Sequence, residues 1–329
     1  MKKIFALALA LTLALGIFTG CGENPAPDNN PASGGSASGA AAKPKIGVVQ
    51  YMDHPSLDTI RDAFKAKLTE LGYVDGENCE VEYKSAGGDA TIQTSIVQSF
   101  AGDEKDVIVA IATPTAQAAA SVSDKIPVVF SAVSDPVGAE LVASLDQPGG
   151  NITGTSDEIQ VELILDLAMK YNPDLKKLGV IYNTSEANSV TNINKAKAYC
   201  EAHNIEIVEA AVTSTNEVQQ AAQVLCSKVD AVFAPNDNTV AGAMAVLADA
   251  GIKAKVPVYT GADSMVNDGG FATIGINYND LGAETAVMVD QVLKGTKPGD
   301  IPVKVFKDNL QTIVNEETAK DLGITVLDN

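Results

Sequence analysis

Residues 106–124, DVIVAIATPTAQAAASVSD, and residues 229–249, VDAVFAPNDNTVAGAMAVLAD, share one pattern about 124 positions apart. Each contains an acidic residue, a short apolar run, a turn with a proline, and an alanine-rich segment with helical spacing. A short apolar run bounded by turn residues is typical of a buried parallel strand, and the spacing that follows it is typical of a helix. The pattern therefore predicts a strand–helix unit that occurs twice in the chain.

The segments on either side extend the repeat. KIGVVQY at 45–51 matches KKLGVIYN at 176–183, and KIPVVFSAVSD at 125–135 matches KVPVYTGADS at 255–264. Helix-spaced segments and further short strands separate these runs in both halves. The offsets of roughly 124 to 132 residues differ only by loop lengths. The sequence thus predicts an α/β fold with two doubly wound parallel-sheet lobes joined by a hinge.

The connections between the lobes can also be placed. Lobe 1 is predicted at residues 45–154 with about 278–304, and lobe 2 at 155–277 with about 305–329. SLDQPGGNITGTSD at 144–157 carries a turn and an extended run that suit the first crossing. GFATIGINYND at 270–280 leads out of lobe 2, and we expect the helix and strand after it to be shared between the lobes. Several crossings make a hinge, with a cleft between the lobes.

The N terminus has the layout of a secretory signal. Lys2 and Lys3 precede the apolar run IFALALALTLALGIF, which is short for a membrane span, and small residues ending at Cys21 follow it. Residues 1–20 are therefore predicted to be a signal peptide. The ending Thr-Gly-Cys resembles the bacterial lipobox, which implies that Cys21 becomes the lipidated first residue of the mature protein. Phe18 departs from that pattern, which prefers leucine, and an incidental cysteine is the alternative.

Residues 21–44 are predicted to be the lipidated cysteine and a flexible linker. The segment is rich in proline, glycine, serine and alanine without periodicity, so it cannot bury enough apolar surface to fold. A lipid anchor followed by such a linker would hold the folded part outside the cytoplasm, at the surface of the bacterial cell membrane.

Charge and motif content exclude several classes of function. The net charge is −19, from 42 acidic and 23 basic residues without a basic cluster, so a nucleic-acid partner would be repelled. Cys79, Cys200 and Cys226 lack metal-site spacing, so no metal is predicted; they are interpreted as small buried hydrophobic residues, with one disulfide as the alternative. Two distant histidines and no catalytic or nucleotide-binding motif predict no cofactor and no enzyme activity.

Six stretches carry a resemblance to a known family, in order through most of residues 45–285. They are GVVQYMDHPSLDTIRDAFKAKLTELGY, ATPTAQAA, FSAVSDPVGAELV, SLDQPGGNITGTSD, GVIYNTSEANS and PNDNTVAGA. Behind a lipobox and a linker, they resemble the type I periplasmic binding-protein fold. More narrowly, the chain is similar to the ABC-transporter substrate-binding family that includes the tryptophan/tyrosine-binding lipoproteins.

The resemblance implies a role and partners. It implies an extracytoplasmic solute-binding lipoprotein of an ABC importer, with a small amino-acid-like ligand, first tryptophan, tyrosine or phenylalanine. The implied partners are an ABC permease with its ATPase and the membrane, through the lipid on Cys21. A branched-chain amino acid, a sugar or another small solute is the alternative ligand. A ligand-sensing or surface interaction lipoprotein of the same fold is the alternative role.

Candidate ligand-binding residues follow from a general rule of open parallel sheets, in which ligands bind beyond the carboxyl ends of the strands. Applied to both lobes and to the first crossing, the rule predicts these residues: Gln50, Tyr51, His54, Thr113, Thr115, Ser131, Asp135, Ser156, Asp157, Glu186, Asn188, Ser189, Asn236, Asp237, Asn238 and Asp263. For many of them a helix cap or turn role is the alternative, and His54 is either a turn residue or a pocket edge.

Small polar residues and carboxylates suit a zwitterionic ligand. An α-ammonium group needs an anionic acceptor, for which Asp135, Glu186, Asp237 and Asp263 are the candidates. Asp237 is favoured over a helix cap because its counterpart in lobe 1, Thr115, is uncharged. The only arginine, Arg61, falls inside the first helix, so hydroxyl groups and helix-start N–H groups are expected to hold the α-carboxylate.

Apolar side chains at strand ends are candidates for the wall around an aromatic ligand side chain. Packing against a helix is the alternative for each of them. These residues are Tyr51, Met52, Phe130, Tyr182 and Tyr259.

Overall fold

The computed structural model describes residues 42–307 and 310–327, and the predicted signal peptide, Cys21 and most of the linker lie outside them. The described strands are β1 (Lys45–Gln50), β2 (Glu80–Ser85), β3 (Val107–Ile111), β4 (Val128–Ser131), β5 (Ile152–Ser156), β6 (Lys177–Asn183), β7 (Glu206–Val212), β8 (Ala231–Ala234), β9 (Val258–Thr260), β10 (Ala272–Gly275), β11 (Lys304–Val305) and β12 (Gln311–Val314).

The helices alternate with the strands. They are α1 (Pro55–Glu70), α2 (Ala90–Gly102), α3 (Thr113–Ala120), α4 (Val161–Tyr171), α5 (Ala187–His203), α6 (Thr215–Cys226), α7 (Asn238–Ala241), α8 (Met244–Ala254), α9 (Asp263–Asn267), α10 (Tyr278–Leu293) and α11 (Glu316–Leu322), with a 3-10 turn at Pro298–Asp300. No helix in the described ranges is long and apolar enough to cross a membrane.

Two six-stranded sheets with the same strand order define two lobes. The sheet of lobe 1 runs β11-β5-β4-β3-β1-β2, with every neighbouring pair parallel. The sheet of lobe 2 runs β12-β10-β9-β8-β6-β7, and only its edge pair β10–β12 is antiparallel. In each lobe the second strand pairs with one side of the first strand, and the third strand pairs with its other side. This is the doubly wound order. The predicted fold class, two doubly wound α/β lobes, is confirmed.

The chain crosses between the lobes three times. The crossings follow β5, β10 and β11, and the first two are the short segments 157–160 and 276–277. Helix α10 follows a strand of lobe 2 but packs on α1 and on the lobe 1 strands β3, β4 and β5. Because the crossings are short, a rotation of one lobe against the other must be absorbed by a few backbone dihedrals. This is the arrangement of a hinge.

The close packing of α10 on α1 depends on Gly282. A β-carbon at this position would lie 2.3 Å from the backbone oxygen of Ile60. Because only glycine lets the two helix backbones approach to this distance, α10 is fixed to lobe 1 although its chain arrives from lobe 2. The second crossing therefore brings the start of α10 to the cleft.

The repeat is not exact in three dimensions. Its second copy forms two helices, α7 and α8, where the sequence predicts one alanine-rich helical segment. The helix is interrupted by a turn at Gly242 and Ala243, where Gly242 packs closely against Met52 of lobe 1. Helices α4 and α11 lie outside the repeated unit and cover lobe 2.

The hydrophobic core is continuous across the cleft. One cluster of buried residues joins α1 and α10 of lobe 1 to α6, α8 and α9 of lobe 2, while each lobe has a second cluster on its other face. Cys79, Cys200 and Cys226 are buried as free thiols. The lobes are therefore packed against each other, and the cleft between them is closed.

Candidate ligand-binding site

A small cavity lies between the lobes at the carboxyl ends of the strands. The volume that the centre of a water molecule can occupy in this cavity is about 20 Å³, which is room for about one water. Both lobes, the first crossing and the start of α10 contribute to its lining. The predicted site residues that line it are His54, Thr113, Asp157, Asn188, Asn236 and Asn238.

Asp157 is the charged group of this cavity. It is the first residue after β5, and its side chain is 5% exposed. Ser134 Oγ donates to Oδ1 over 3.0 Å, while Asn236 Nδ2 and the Tyr278 hydroxyl donate to Oδ2 over 2.7 and 3.1 Å. Its donors come from lobe 1, from lobe 2 and from Tyr278 at the start of α10, directly after the second crossing, so this carboxylate joins parts of the chain that meet when the cleft closes.

No cation of the described residues neutralises Asp157. The ion pairs of the described chain lie elsewhere, and burial raises the pKa of this carboxyl group above its ordinary value of 3.8. Burying a carboxylate without a cationic partner is costly, and three neutral donors offset that cost only in part. Asp157 thus has the properties of an acceptor for a positively charged ligand group.

Two further hydrogen bonds close the cleft beside the cavity. His54 Nε2 at the start of α1 lies 3.1 Å from Oδ1 of Asn238 in lobe 2. Two residues further on, the Ser56 hydroxyl bonds the hydroxyl of Ser264 on α9. Each of these side chains is at least nine-tenths buried. The closed arrangement is therefore stabilised by polar contacts that exist only when the lobes meet.

Unpartnered polar atoms concentrate at the cavity. Buried polar groups almost always have a hydrogen-bond partner, so each exception requires an explanation. Among the described residues, three of these exceptions belong to side chains that line the cavity: His54 Nδ1, Thr113 Oγ1 and Asn188 Oδ1. Asn188 Nδ2 is already held by the backbone oxygen of Asn236 at 3.1 Å, which leaves Oδ1 as a free acceptor.

The cavity also meets the start of α3. Pro114 has no N–H group and the other first-turn N–H groups of a helix lack intrahelical partners, so this end attracts anions. Ala112 and Ala132, which follow β3 and β4 and line the cavity, have φ values of 82° and 57°. For residues other than glycine this conformation costs about 1 kcal/mol or more, and such strain clusters at functional sites.

Glu186 and Asp237 form a buried pair of carboxylates behind the cavity. Asp237 accepts from Asn183 N at 2.7 Å, Ser189 Oγ at 2.6 Å and Val240 N at 2.8 Å. The oxygens of Glu186 accept from the backbone and side chains of residues 238 and 239 at 2.6 to 3.1 Å. Burial raises the pKa of both groups, and the charge of Asp237 adds to the effect on Glu186.

This pair changes the interpretation of Asp237. The sequence predicts a ligand contact in preference to a helix cap, but the side chain is fully buried, lies outside the cavity lining and caps α7. Its three donors and its helix-capping geometry occupy the carboxylate within lobe 2. Glu186 is occupied in the same way, so in this structure neither group is positioned as the acceptor of a ligand ammonium.

Other predicted residues also lie outside the lining, with internal partners. Gln50 Nε2 donates to the loop before α1, Ser131 Oγ bonds Thr285 at 2.8 Å, and Ser156 Oγ donates to Ser134 O. Asp135 caps a turn at Gly138 N, Ser189 bonds Asp237, and Asp263 bonds Ser264 N at the start of α9. Thr115 is fully buried without a hydroxyl partner. Burial, together with the nearby charges of Glu186 and Asp237, raises the pKa of Tyr51 to about 12.

The residues predicted to wall an aromatic side chain lie in other places. Phe130 and Tyr259 are fully buried in the cores of their lobes, and Tyr259 packs edge-on against Phe271. Tyr182 bonds Glu209 at 2.8 Å, and Met52 packs on Gly242. Helix and core packing explains these side chains, which is the alternative given with the prediction.

The sequence rule misses the apolar part of the lining. The rule selects polar residues at strand ends, whereas these side chains are mostly alanines and residues inside helices. Tyr278 was detectable because it follows the strand that leads out of lobe 2. The missed residues are Ser56, Leu57, Ala112, Ala132, Ala241, Met265 and Tyr278.

Comparison with known proteins identifies the class. A family model for ABC transporter substrate binding proteins matches residues 45–329, so the chain belongs to this family. A tyrosine-binding protein of Clostridioides difficile (strain R20291) is 38% identical over 327 residues, which cover 99% of this chain and 94% of the relative. The family consists of substrate-binding proteins, which confirms the prediction that the chain is not an enzyme.

Two solved structures differ in how well they match. The ABC domain in complex with L-Trp from Streptococcus pneumonia has a TM-score of 0.83 at 38% identity, with 87% of this chain and 97% of that chain covered. A ligand-free, open substrate-binding protein with adhesive properties from Clostridium difficile has a TM-score of 0.66 at 40% identity, with the same coverage. At nearly equal identity, the better match to the tryptophan complex agrees with the closed cleft of this structure.

Proposed function

We propose that this protein is an extracytoplasmic solute-binding lipoprotein of an ABC importer, and that it captures an aromatic amino acid between its lobes. The observation that carries the proposal is Asp157, a buried carboxylate without a cation at the wall of the interlobe cavity. An α-ammonium group would supply the missing charge and satisfy it with charge-assisted hydrogen bonds. The free Oδ1 of Asn188 is a second acceptor for the same group.

The opposite end of a zwitterion has donors available. The unpartnered hydroxyl of Thr113 and the first N–H groups of α3 would hold the α-carboxylate. This arrangement needs no arginine, which agrees with the position of Arg61 on α1, paired with Asp58 and Asp62 away from the cavity. Acceptors on one side and donors on the other complement an amino acid better than a sugar, which carries no charge.

An aromatic side chain is supported by the lining and by the relatives. Leu57, Ala241, Met265 and the ring of Tyr278 supply apolar surface. A tyrosine-binding protein and a protein crystallised with L-Trp are each 38% identical to this chain. Branched-chain amino acids would use the same polar contacts, so the side-chain wall is the part of the site that distinguishes the two ligand classes.

Ligand capture requires movement of the lobes. A cavity with room for about one water cannot admit an amino acid, so binding must proceed from an open arrangement. Closure over a ligand would then be stabilised by contacts that the open form lacks, such as the His54–Asn238 and Asn236–Asp157 bonds. The closed form would dock on the permease of the importer.

The membrane attachment rests on the sequence. The signal layout and Cys21 support a lipid anchor, and the linker supports a folded part that reaches away from the membrane. The family assignment supports an importer in preference to a sensor. Radiolabelled palmitate incorporated into the wild-type chain but not into Cys21→Ala would support the anchor, and equal labelling would contradict it.

A ligand screen tests the binding proposal. The domain from Lys43 onward is unfolded, dialysed to remove carried-over ligand, refolded, and assayed by thermal shift against the twenty amino acids, nucleosides and common sugars. We expect the unfolding temperature to rise by several degrees only with aromatic amino acids, because ligand binding stabilises the native state. Deaminated and decarboxylated analogues of the best ligand should give no shift. A shift with sugars or nucleosides alone would contradict the proposal.

A further inference from the structure

His54 carries a buried acceptor that the proposed contacts with the α-ammonium and α-carboxylate do not use. Its side chain lines the cavity and is 6% exposed, and its Nδ1 has no hydrogen-bond partner. The other ring nitrogen, Nε2, lies 3.1 Å from Asn238 Oδ1. The functional role of the ring depends on which of these two nitrogens carries the proton.

The neighbouring carboxyl group of Glu186 indicates which ring nitrogen of His54 carries the proton. Asn238 Nδ2 lies 2.6 Å from Glu186 Oε2, so in this structure the amide nitrogen faces the carboxyl group and the amide oxygen faces His54. A second bond, from the backbone N–H of Asn238 to the same oxygen at 3.0 Å, holds the residue in place. Because the amide oxygen can only accept, His54 Nε2 must donate. In a neutral ring, Nδ1 is then an acceptor with a free lone pair.

The neutral ring is the form that burial favours. Burial lowers the pKa of His54, although the carboxylates of Asp53 and Asp58 and the bond to Asn238 act in the opposite direction. A protonated ring would also place an N–H group at Nδ1 without an acceptor. The burial and the bonding therefore both favour the form in which Nδ1 accepts a hydrogen bond.

His54 is not among the groups bonded to the proposed acceptor of the ligand ammonium. The carboxylate of Asp157 is bonded to Ser134, Asn236 and Tyr278. His54 is instead followed by Ser56 and Leu57, and Ser56 meets α9, which carries the cavity residue Met265. Because the ammonium and the carboxylate of the ligand are assigned to other groups, the donor left for Nδ1 is one on the ligand's side chain.

We infer that His54 sets the specificity of the site by accepting a hydrogen bond at Nδ1 from the ring of the ligand. The inference rests on the proposed function and names its ligand class more closely. The indole N–H group of tryptophan and the hydroxyl group of tyrosine provide such a donor, while phenylalanine has none. A site built around a buried acceptor rejects a ligand that leaves the acceptor unpaired.

The test compares matched ligands on the wild-type domain and two variants. Isothermal titration measures dissociation constants for L-tryptophan, L-tyrosine, L-phenylalanine, 1-methyl-L-tryptophan and O-methyl-L-tyrosine. The variants are His54→Leu and, as control, His203→Leu, which changes the other histidine, an exposed residue at the end of α5. We expect at least one of tryptophan and tyrosine to bind roughly tenfold or more tightly than phenylalanine and than its own methylated analogue.

The variants give the second part of the result. In His54→Leu all ligands should lose some affinity with the closure bond to Asn238, but the preference for the ring donor should fall to about threefold or less because tryptophan and tyrosine lose more than phenylalanine. The control should behave as wild type. Equal affinities of the wild type for phenylalanine, tyrosine and tryptophan would overturn the inference, as would an equal loss for all ligands in His54→Leu.

Failure of the inference can be told apart from failure of the proposed function. Tight but undiscriminating binding of aromatic amino acids keeps the proposed function and removes the role of His54. Binding of none of the five ligands overturns both. Equal wild-type affinities for phenylalanine, tyrosine and tryptophan overturn the inference even if the His54→Leu variant does not fold.

Discussion

Asn236 and Asp157 are joined by a hydrogen bond of 2.7 Å, in which Nδ2 of Asn236 donates to Oδ2 of Asp157. Asn236 lies just after β8 of lobe 2, and Asp157 begins the first crossing after β5 of lobe 1. The same Nδ2 also donates to the lobe 1 residue Ser134, over 2.8 Å. One amide group thus connects lobe 2 to the hinge, to lobe 1 and to the proposed acceptor of the ligand ammonium.

Loss of this amide should favour the open arrangement. In Asn236→Ala we expect the ligand-free domain to have a larger radius of gyration by small-angle X-ray scattering, and saturating ligand to restore the closed value at about tenfold higher concentration. Asn279→Ala, on the exposed start of α10, is the control and should match the wild type. An unchanged radius and affinity for Asn236→Ala would show that the bond does not contribute to closure.

Asp237→Ala should lower stability more than affinity. The substitution leaves the N–H groups of Asn183 and Val240 and the hydroxyl of Ser189 without their buried acceptor, which should cost about 3 kcal/mol of unfolding free energy. Urea denaturation measures the loss. Asp89→Ala, which removes an exposed cap of α2, should lose less. A stable Asp237→Ala variant with much weaker ligand binding would restore the role that the sequence predicts.

Gly282→Ala should destabilise lobe 1. Its new β-carbon would clash with the backbone oxygen of Ile60, and separating α10 from α1 should cost about 1 to 3 kcal/mol. Gly102→Ala is the control because nothing lies within 4 Å of a β-carbon there. Thermal unfolding followed by circular dichroism compares the two. Equal stability would mean that the two helices can separate at no cost.

The affinity for an amino acid should depend on pH through Asp157. Burial raises the pKa of its carboxyl group, and the ammonium needs the ionised form, so the affinity should fall as the pH falls through that raised pKa, by up to tenfold per pH unit. In the ligand-free protein the effect of pH on stability has the opposite sign. The contribution of Asp157 to the free energy of unfolding is fully present below the ordinary pKa of 3.8 and is lost as the pH rises through the raised value. Titrations from pH 4 to 8 with phenylalanine measure the affinity. An affinity that rises in acid would contradict this assignment.

The sequence predicted the fold because a repeated pattern constrains it twice. The two copies at 106–124 and 229–249 have the same period and the same turn chemistry, and β3 and β8 occupy equivalent places in sheets of the same order. The break between α7 and α8 could not be predicted in this way, because the first copy of the repeat forms the single helix α3 and gives no sign of it.

The sequence predicted which part of the fold holds the site, but not which individual residues line it. A strand end indicates where a polar side chain lies along the chain, so the rule located His54, Thr113, Asp157, Asn188, Asn236 and Asn238 at the cavity. It could not separate Asp157 from Asp237, because both follow strands. The difference is that Asp237 is surrounded by donors of its own lobe, whereas the donors to Asp157 come from both lobes and the hinge. Such contacts are set by the tertiary structure.

The most direct test of the account is the affinity of Asp157→Asn for the amino acid that the ligand screen identifies. Isothermal titration at pH 7 should show a loss of roughly 100-fold or more, because a neutral amide cannot balance the ligand's ammonium group in a buried site. Asp135→Asn, a predicted site residue outside the cavity, should bind like the wild type. An Asp157→Asn variant that is folded and binds within threefold of the wild type would contradict capture of a zwitterion in this cavity.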